Sequence, residues 1–110
     1  MITQFKIFES EKKFPEFWDY VLCDISDYTM NEKLINFVNS NIGQISNLAL
    51  SKTKDKEQMI YYVRYKNIPV SVEDRFSHDG VRVFGLSDII FFGKTKEEVE
   101  IKIQTRKYNL

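Results

Sequence analysis

The stretch 59–66 constrains the fold of this chain most, because its regular alternation predicts a strand at the centre of a sheet. Successive side chains of a strand point to opposite faces. One predicted face is apolar and indicates core: Met59, Tyr61, Val63 and Tyr65. The other face begins apolar and ends cationic, as expected of a strand that emerges from the core at one end: Ile60, Tyr62, Arg64 and Lys66.

Length and charge limit the class of protein. With 110 residues, 43% of them hydrophobic and 29% charged, the chain is expected to form a single globular domain, 1–110. Lys plus Arg number 16, as do Asp plus Glu, so there is no overall positive field of the kind that marks a dedicated nucleic-acid binder. The first 51 residues carry 4 basic and 7 acidic side chains, whereas the remainder carry 12 and 9, so one basic face remains possible.

Cys23 is the only cysteine, so no disulfide can form within the chain, which suits a reducing cytoplasm. We expect it to be a small buried side chain in a strand. No apolar run approaches the ~18 residues that span a bilayer, and the N-terminus lacks a signal peptide's apolar core. The expectation is a soluble protein in the cytoplasm of a bacterial host, without contact to a membrane.

Two elements are expected before the first helix. Residues 3–8 alternate and predict a short strand or arm within the N-terminal segment 1–13. Residues 19–25 are rich in aromatic and β-branched side chains and favour a strand. A helix that starts at Pro15 is the alternative, since proline suits a first helical position.

A helix is predicted over 30–41. Thr29 and Glu32 form a capping box, in which each side chain satisfies a free backbone donor. Apolar residues follow at helical spacing, and Gly43 supplies a stop.

Further strands are predicted in the second half. Residues 44–50 alternate, and the charged loop 51–57 should join them to 59–66 as an antiparallel hairpin. Two more strands are expected at 81–86 and 88–92.

The C-terminal segment 94–110 is predicted to be a helix, because Thr95 and Glu98 form a second capping box. A strand is the alternative, since apolar residues alternate there: Val99, Ile101 and Ile103. Together, the predicted strands and helices indicate a mostly β (α+β) fold. Four to five antiparallel strands over 14–93 are expected to form a small, curved barrel, with the helix 30–41 inserted.

The residue patterns do not indicate an enzyme, a cofactor or a metal site. Acid/base or metal chemistry has one candidate cluster, with a single histidine and a spacing that matches no metal loop: Glu73, Asp74, His78 and Asp79. We interpret it as a solvated loop. Gly93 and Lys94 resemble the end of a phosphate loop, but Asp88 stands where that loop needs a glycine.

Two candidate binding surfaces remain. The region between Lys13 and Lys33 contains aromatic and acidic residues and no basic one, which suits an interface to a basic protein surface with Trp18 as a hot spot. Its candidate contact residues are Phe17, Trp18, Asp19, Asp24 and Asp27. The alternative is that the aromatics belong to the core and the acids merely flank the strand.

The second surface combines sheet cations with an aromatic ring, which can contact phosphates and stack bases. Its candidate residues are Tyr62, Arg64, Lys66 and Arg82, with Arg75 and Phe84 nearby. The alternative is that the aromatics are core and the arginines are ordinary solvated charges.

Four segments, "DYV" from Asp19, "IGQI" from Ile42, "YYVRY" from Tyr61 and "SDII" from Ser87, resemble successive strands of an SH3-like or KOW-type small barrel. Trp18 departs from that pattern, which usually has a glycine there.

The ends, 5–9 and 107–110, resemble small uncharacterised proteins of phages and prophages of low-GC bacteria. The resemblance implies a non-enzymatic interaction module. The leading hypothesis is a phage-type inhibitor that binds a host or defence-system protein or ribonucleoprotein, such as an RNA-guided (CRISPR) nuclease. The alternative is an SH3-like domain that binds RNA or single-stranded DNA.

Overall fold

The computed structural model describes residues 14–25 and 31–108 of the chain. They form five strands and two helices, in the order β1 (Tyr20–Cys23), α1 (Glu32–Ser40), β2 (Gly43–Lys52), β3 (Glu57–Arg64), β4 (Val81–Gly85), β5 (Ile89–Gly93) and α2 (Lys96–Tyr108). Short 3-10 helices lie at Val70–Arg75 and Leu86–Asp88. The predicted N-terminal strand or arm, Asp27 and Thr29 lie outside the described residues.

The strands make one antiparallel sheet in the order β4-β3-β2-β1-β5. The mostly β, α+β class is therefore confirmed. The predicted closure into a barrel is not seen, because β4 and β5 form the two edges of an open sheet among the described strands. The strand expected at the centre is β3, which lies next to the middle strand, β2.

The antiparallel hairpin of β2 and β3 is confirmed. The strand β2 is longer than the predicted 44–50, whereas β3 begins and ends two residues earlier than the predicted 59–66, since pairing continues to Lys52 and Glu57. The N–H of Thr53 donates to the carbonyl of Lys56 at 2.8 Å and closes the turn. The predicted strand at 19–25 also forms, as β1, and prevails over the helix from Pro15.

One face of the sheet carries the core. Tyr61, Val63 and Tyr65 are buried as predicted. They pack in one cluster with apolar side chains of β1, β2 and α1. Met59 was expected on the same face, but it and its cross-strand partner Leu50 are exposed near the end of the hairpin.

An aromatic cluster ties α1 to the sheet. The rings of Phe37, Tyr65 and Phe76 lie 5.6 to 5.7 Å from one another, in tilted or edge-to-face arrangements. Phe84 of β4 packs 6.3 Å from Tyr65. Such aromatic pairs contribute about 0.5–1.5 kcal/mol each beyond the area they bury.

The helix α1 begins and ends with asparagine caps. Asn31 Oδ1 accepts a hydrogen bond from the N–H of Leu34 at 3.0 Å, and Asn41 Nδ2 donates to the carbonyl of Phe37 at 2.8 Å. The helix is therefore shorter at each end than the predicted range 30–41. Gly43, expected to stop it, instead begins β2.

The C-terminal helix is confirmed over the strand alternative. Thr95 Oγ1 accepts from the N–H of Glu98 at 3.1 Å, as in a capping box. The Glu98 carboxylate accepts from the N–H of Lys94 rather than from Thr95. The helix packs against β5 and β1 and buries Val99. Neither described helix is long and apolar enough to cross a membrane.

A substitution at Gly43 can test how tightly side chains pack against the sheet. A Cβ at this position would collide with Cγ1 of Val63 and approach the Tyr65 ring to 3.0 Å. We expect Gly43→Ala to lower the free energy of unfolding by about 1–3 kcal/mol, because the core would have to shift. Urea denaturation measures the effect.

Gly85→Ala is the matched control. Its backbone is extended, and a Cβ there would meet only the Asp88 carboxylate at 3.8 Å. A loss of stability equal to that of Gly43→Ala would contradict the packing argument.

Candidate protein-interaction site

Three aromatic side chains project into solvent from the turn before β1. Phe14, Phe17 and Trp18 are 57%, 43% and 58% exposed, and the rings of Phe17 and Trp18 meet edge to face at 4.8 Å. We call these three residues the aromatic turn. The alternative that the aromatics belong to the core is wrong for them. Phe14 was not among the predicted contact residues, and no signal in the sequence separates it from a core aromatic.

The turn is held by its own backbone and by Asp19. The Asp19 carboxylate accepts from the N–H of Glu16 at 2.8 Å, while the N–H of Asp19 donates to the carbonyl of Glu16 at 3.0 Å. Asp19 is only 3% exposed. Although it was predicted to contact a partner, it is therefore a structural residue that shapes the turn.

Trp18 adopts a left-handed backbone, with φ of 71°. This conformation costs a non-glycine residue about 1–2 kcal/mol. Glycine adopts this conformation without that cost. Bonds on both sides hold the strained residue: the N–H of Trp18 donates to the carbonyl of Ile45 at 3.0 Å, and Gln44 Nε2 donates to the carbonyl of Trp18 at 3.0 Å.

Asp24, one of the predicted acidic contact residues, does not lie beside the aromatic turn. Asp24 is exposed at the other end of β1, six positions from Trp18, which is roughly 20 Å along an extended chain. Asp27 lies outside the described residues. Glu16 is the nearest exposed carboxylate in the turn, and it pairs with Lys94 at 3.5 Å.

The register separates the predicted nucleic-acid residues. Directly paired residues of antiparallel strands share a face. Tyr62 is opposite Val83, whereas Arg82 is opposite the core residue Val63. Arg82 therefore lies on the core side of the sheet, away from Tyr62 and Arg64.

The surroundings of Arg82 agree with this placement. Its guanidinium donates to the carbonyl of Arg75 at 2.9 Å and lies 6.0 Å from the ring of Phe84. Phe84 is buried, and Lys66 follows the end of β3. Of the four predicted residues, the structure brings only Tyr62 and Arg64 together on one strand face.

Two further candidate residues from the sequence are His78 and Cys23. His78 lies in an exposed loop, and within the described ranges no three His, Cys, Asp or Glu side chains are placed to hold a metal ion. Cys23 is buried in β1 as predicted, and burial is the main cause that raises the pKa of its thiol to about 12.

Comparisons with protein-family models, curated proteins and solved structures found no match for this chain.

The backbone of Trp18 gives a direct test. Trp18→Gly and Trp18→Ala both remove the ring, but only glycine is free of strain at φ of 71°. We expect the glycine variant to be more stable than the alanine variant by about 1 kcal/mol. Urea unfolding of the two variants measures the difference, and equal stability would mean that the turn is not strained.

Cys23 gives a prediction about pH. The folded thiol keeps its proton up to a pKa of about 12, whereas the unfolded thiol ionises near its ordinary value of 9.0. Folding stability should therefore fall as the pH rises above about 9, because the unfolded state then binds fewer protons. The folded protein should also react slowly with a disulfide reagent at pH 8. Fast labelling before unfolding, or the same alkaline loss in Cys23→Ala, would contradict this.

Proposed function

We propose that this chain is a non-enzymatic protein-binding module that contacts its partner through the aromatic turn. The observation that carries the proposal is the exposure of Phe14, Phe17 and Trp18 together, with Trp18 held in a strained backbone. A backbone that glycine would occupy without strain carries the largest aromatic side chain instead. Strain of this kind concentrates at functional sites, where it is retained despite its cost to stability.

The chemistry of the turn fits an interface. Tryptophan and phenylalanine are enriched at the centres of protein interfaces, where they fill apolar pockets on the partner. Burial of one such side chain contributes about 1.5–3 kcal/mol. The exposed ion pair of Glu16 and Lys94 supplies a polar, nearly neutral rim beside the rings. The expected partner therefore offers an apolar pocket rather than a strongly basic patch.

The identity of the partner is the more specific part of the proposal. The resemblance of the chain ends to small phage and prophage proteins supports an inhibitor of a host defence system, such as an RNA-guided nuclease. The resemblance to SH3-like barrels supports an interaction module, and a five-stranded antiparallel sheet is compatible with such a role. The cytoplasm of a bacterial host is the corresponding place of action.

Direct binding of RNA or single-stranded DNA is the second candidate. Two of the residues predicted for this role, Tyr62 and Arg64, share a face of β3. A third predicted residue, Arg82, does not support nucleic-acid binding, because its guanidinium is engaged on the core side of the sheet. Neutral net charge also gives little of the phosphate attraction on which such binding depends.

Affinity capture from a bacterial host lysate tests the proposal. The bait proteins are the wild type and a variant that combines Phe14→Ser, Phe17→Ser and Trp18→Gly. We expect the wild type to retain a specific protein and the variant to lose at least about tenfold of it, since hot-spot aromatics dominate binding energy. Quantitative mass spectrometry of the bound fraction is the measurement.

Val70→Ser is the matched control, because Val70 is 80% exposed and lies outside the aromatic turn. It should retain the same protein as the wild type. Equal capture by the triple variant would contradict the proposal. Loss of capture after nuclease treatment of the lysate, together with dependence on Arg64, would favour the nucleic-acid candidate. Protection of a phage in a defence challenge tests the inhibitor hypothesis separately.

A further inference from the structure

One face of the sheet carries a single charged side chain close to the aromatic turn. The strands β2, β3 and β4 bury one face against α1, and we call their opposite face the outer face. Side chains of a strand alternate between the two faces. Since Tyr61 and Val63 are in the core, Tyr62 and Arg64 lie on the outer face. Of the side chains that the register of these three strands places there, only Arg64 is charged.

Arg64 is the neighbour of the residue that holds Trp18. Gln44 of β2 is paired directly with Arg64 on one side and with Tyr20 of β1 on the other. The Cβ atoms of such cross-strand pairs are about 5 Å apart. The side-chain amide of Gln44 donates to the carbonyl of Trp18 at 3.0 Å. Gln44 therefore connects Arg64 to the aromatic turn, and a partner that continues from Trp18 across β2 meets Arg64 next.

The side chain of Arg64 is available to such a partner. It is exposed, and among the described residues it makes no hydrogen bond, ion pair or ring contact. Two other cations near the turn and the sheet are engaged. Lys94 pairs with Glu16 at 3.5 Å, and Arg82 donates to a backbone carbonyl at 2.9 Å.

We propose that Arg64 determines the specificity of the interface that begins at the aromatic turn, by binding a carboxylate of the partner protein. This role of Arg64 rests on the proposed function, because Arg64 meets the partner only where the aromatic turn docks. A partner that covers Gln44 removes water from the neighbouring guanidinium. A charge that loses water without gaining an opposite charge strongly destabilises a complex. The partner is therefore expected to carry an aspartate or glutamate beside the pocket that receives Trp18.

The chemistry of arginine makes this contact selective. A guanidinium is planar and donates two parallel hydrogen bonds to one carboxylate, whereas an ammonium group acts as a point charge. Many proteins offer apolar pockets that accept an aromatic ring. Arg64 favours the pockets that have a carboxylate at the rim and disfavours those that have a cation there, so it adds discrimination that the rings alone lack.

The same face fits a nucleic acid poorly. A phosphate backbone is bound by several cations, each of which neutralises a phosphate. Here one cation stands among uncharged neighbours: Gln44, Asn47, Tyr62, Val81 and Val83. A single positive charge on a neutral face matches a single carboxylate.

Capture from a nuclease-treated bacterial host lysate tests the role of Arg64. The baits are the full chain as wild type, Arg64→Gln and Arg64→Lys, and the probe is the protein whose retention requires the aromatic turn. We expect Arg64→Gln to lower its retention about tenfold, because the carboxylate is left without a partner. Arg64→Lys should lie between the two, since it restores the charge but not the paired hydrogen bonds. Quantitative mass spectrometry measures the retained protein.

Arg75→Gln is the matched control. Arg75 is exposed at the end of the 3-10 helix Val70–Arg75, which packs with α1 on the core side of the sheet. The variant removes the same charge and should retain as much protein as the wild type. Urea unfolding of Arg64→Gln should match that of the wild type. Full retention by Arg64→Gln, or an equal loss in Arg75→Gln, would overturn the proposal.

Carbodiimide cross-linking tests the carboxylate directly. The reagent joins an amine to a carboxylate in contact with it, as an amide, and is itself hydrated to a urea. With Arg64→Lys as bait, we expect a cross-linked peptide that contains position 64 and an aspartate or glutamate of the captured protein. The wild type should give no link at this position, because carbodiimide does not couple a guanidinium. Absence of the link in Arg64→Lys contradicts the carboxylate, and a link to a second copy of this chain would replace the partner with self-association.

The baits also separate the failure of this contact from the failure of the proposed function. Capture that requires the aromatic turn but not Arg64 would overturn the role of Arg64 alone. Capture that is equal for wild type and the triple variant of the aromatic turn would overturn both. Retention that depends on Arg64 in an untreated lysate and disappears after nuclease treatment would replace the carboxylate with a nucleic-acid phosphate.

Discussion

The packing of α1 onto one face of the sheet is the constraint on which the rest depends. An antiparallel sheet that is open among the described strands must bury one face to be stable. Phe37 provides that contact from the helix, and Tyr65 and Phe76 complete it from the chain that follows β3. The cluster joins residues far apart in sequence, so it fixes α1 against the sheet as well as stabilising it.

The aromatic turn lies at the β1 and β5 end of this frame. It leads into β1, which neighbours β5 in the sheet. The ion pair of Glu16 with Lys94 connects the turn to the residue after β5, and Lys94 in turn donates its N–H to Glu98 of α2.

The binding energy proposed for the aromatic turn has a hydrophobic origin. The aromatic turn offers apolar area whose burial removes water, so its contribution should depend little on salt. Arg82 illustrates why charge alone does not define a surface, because its guanidinium is engaged by Arg75 and Phe84 on the core side.

The sequence by itself determined the local structure and the core face. Alternation placed Tyr61, Val63 and Tyr65 in the core, and the Thr95 capping box began the last helix, because both signals act between near neighbours. Tertiary structure alone decided that the sheet stays open, that Arg82 faces away from Tyr62, and that Asp19 is buried while Trp18 is exposed. Those outcomes depend on strand order, register and a left-handed residue in a turn. Strand order and register are set by contacts between segments distant along the chain, and the left-handed Trp18 is held by Gln44 and Ile45 of β2, which no local pattern records.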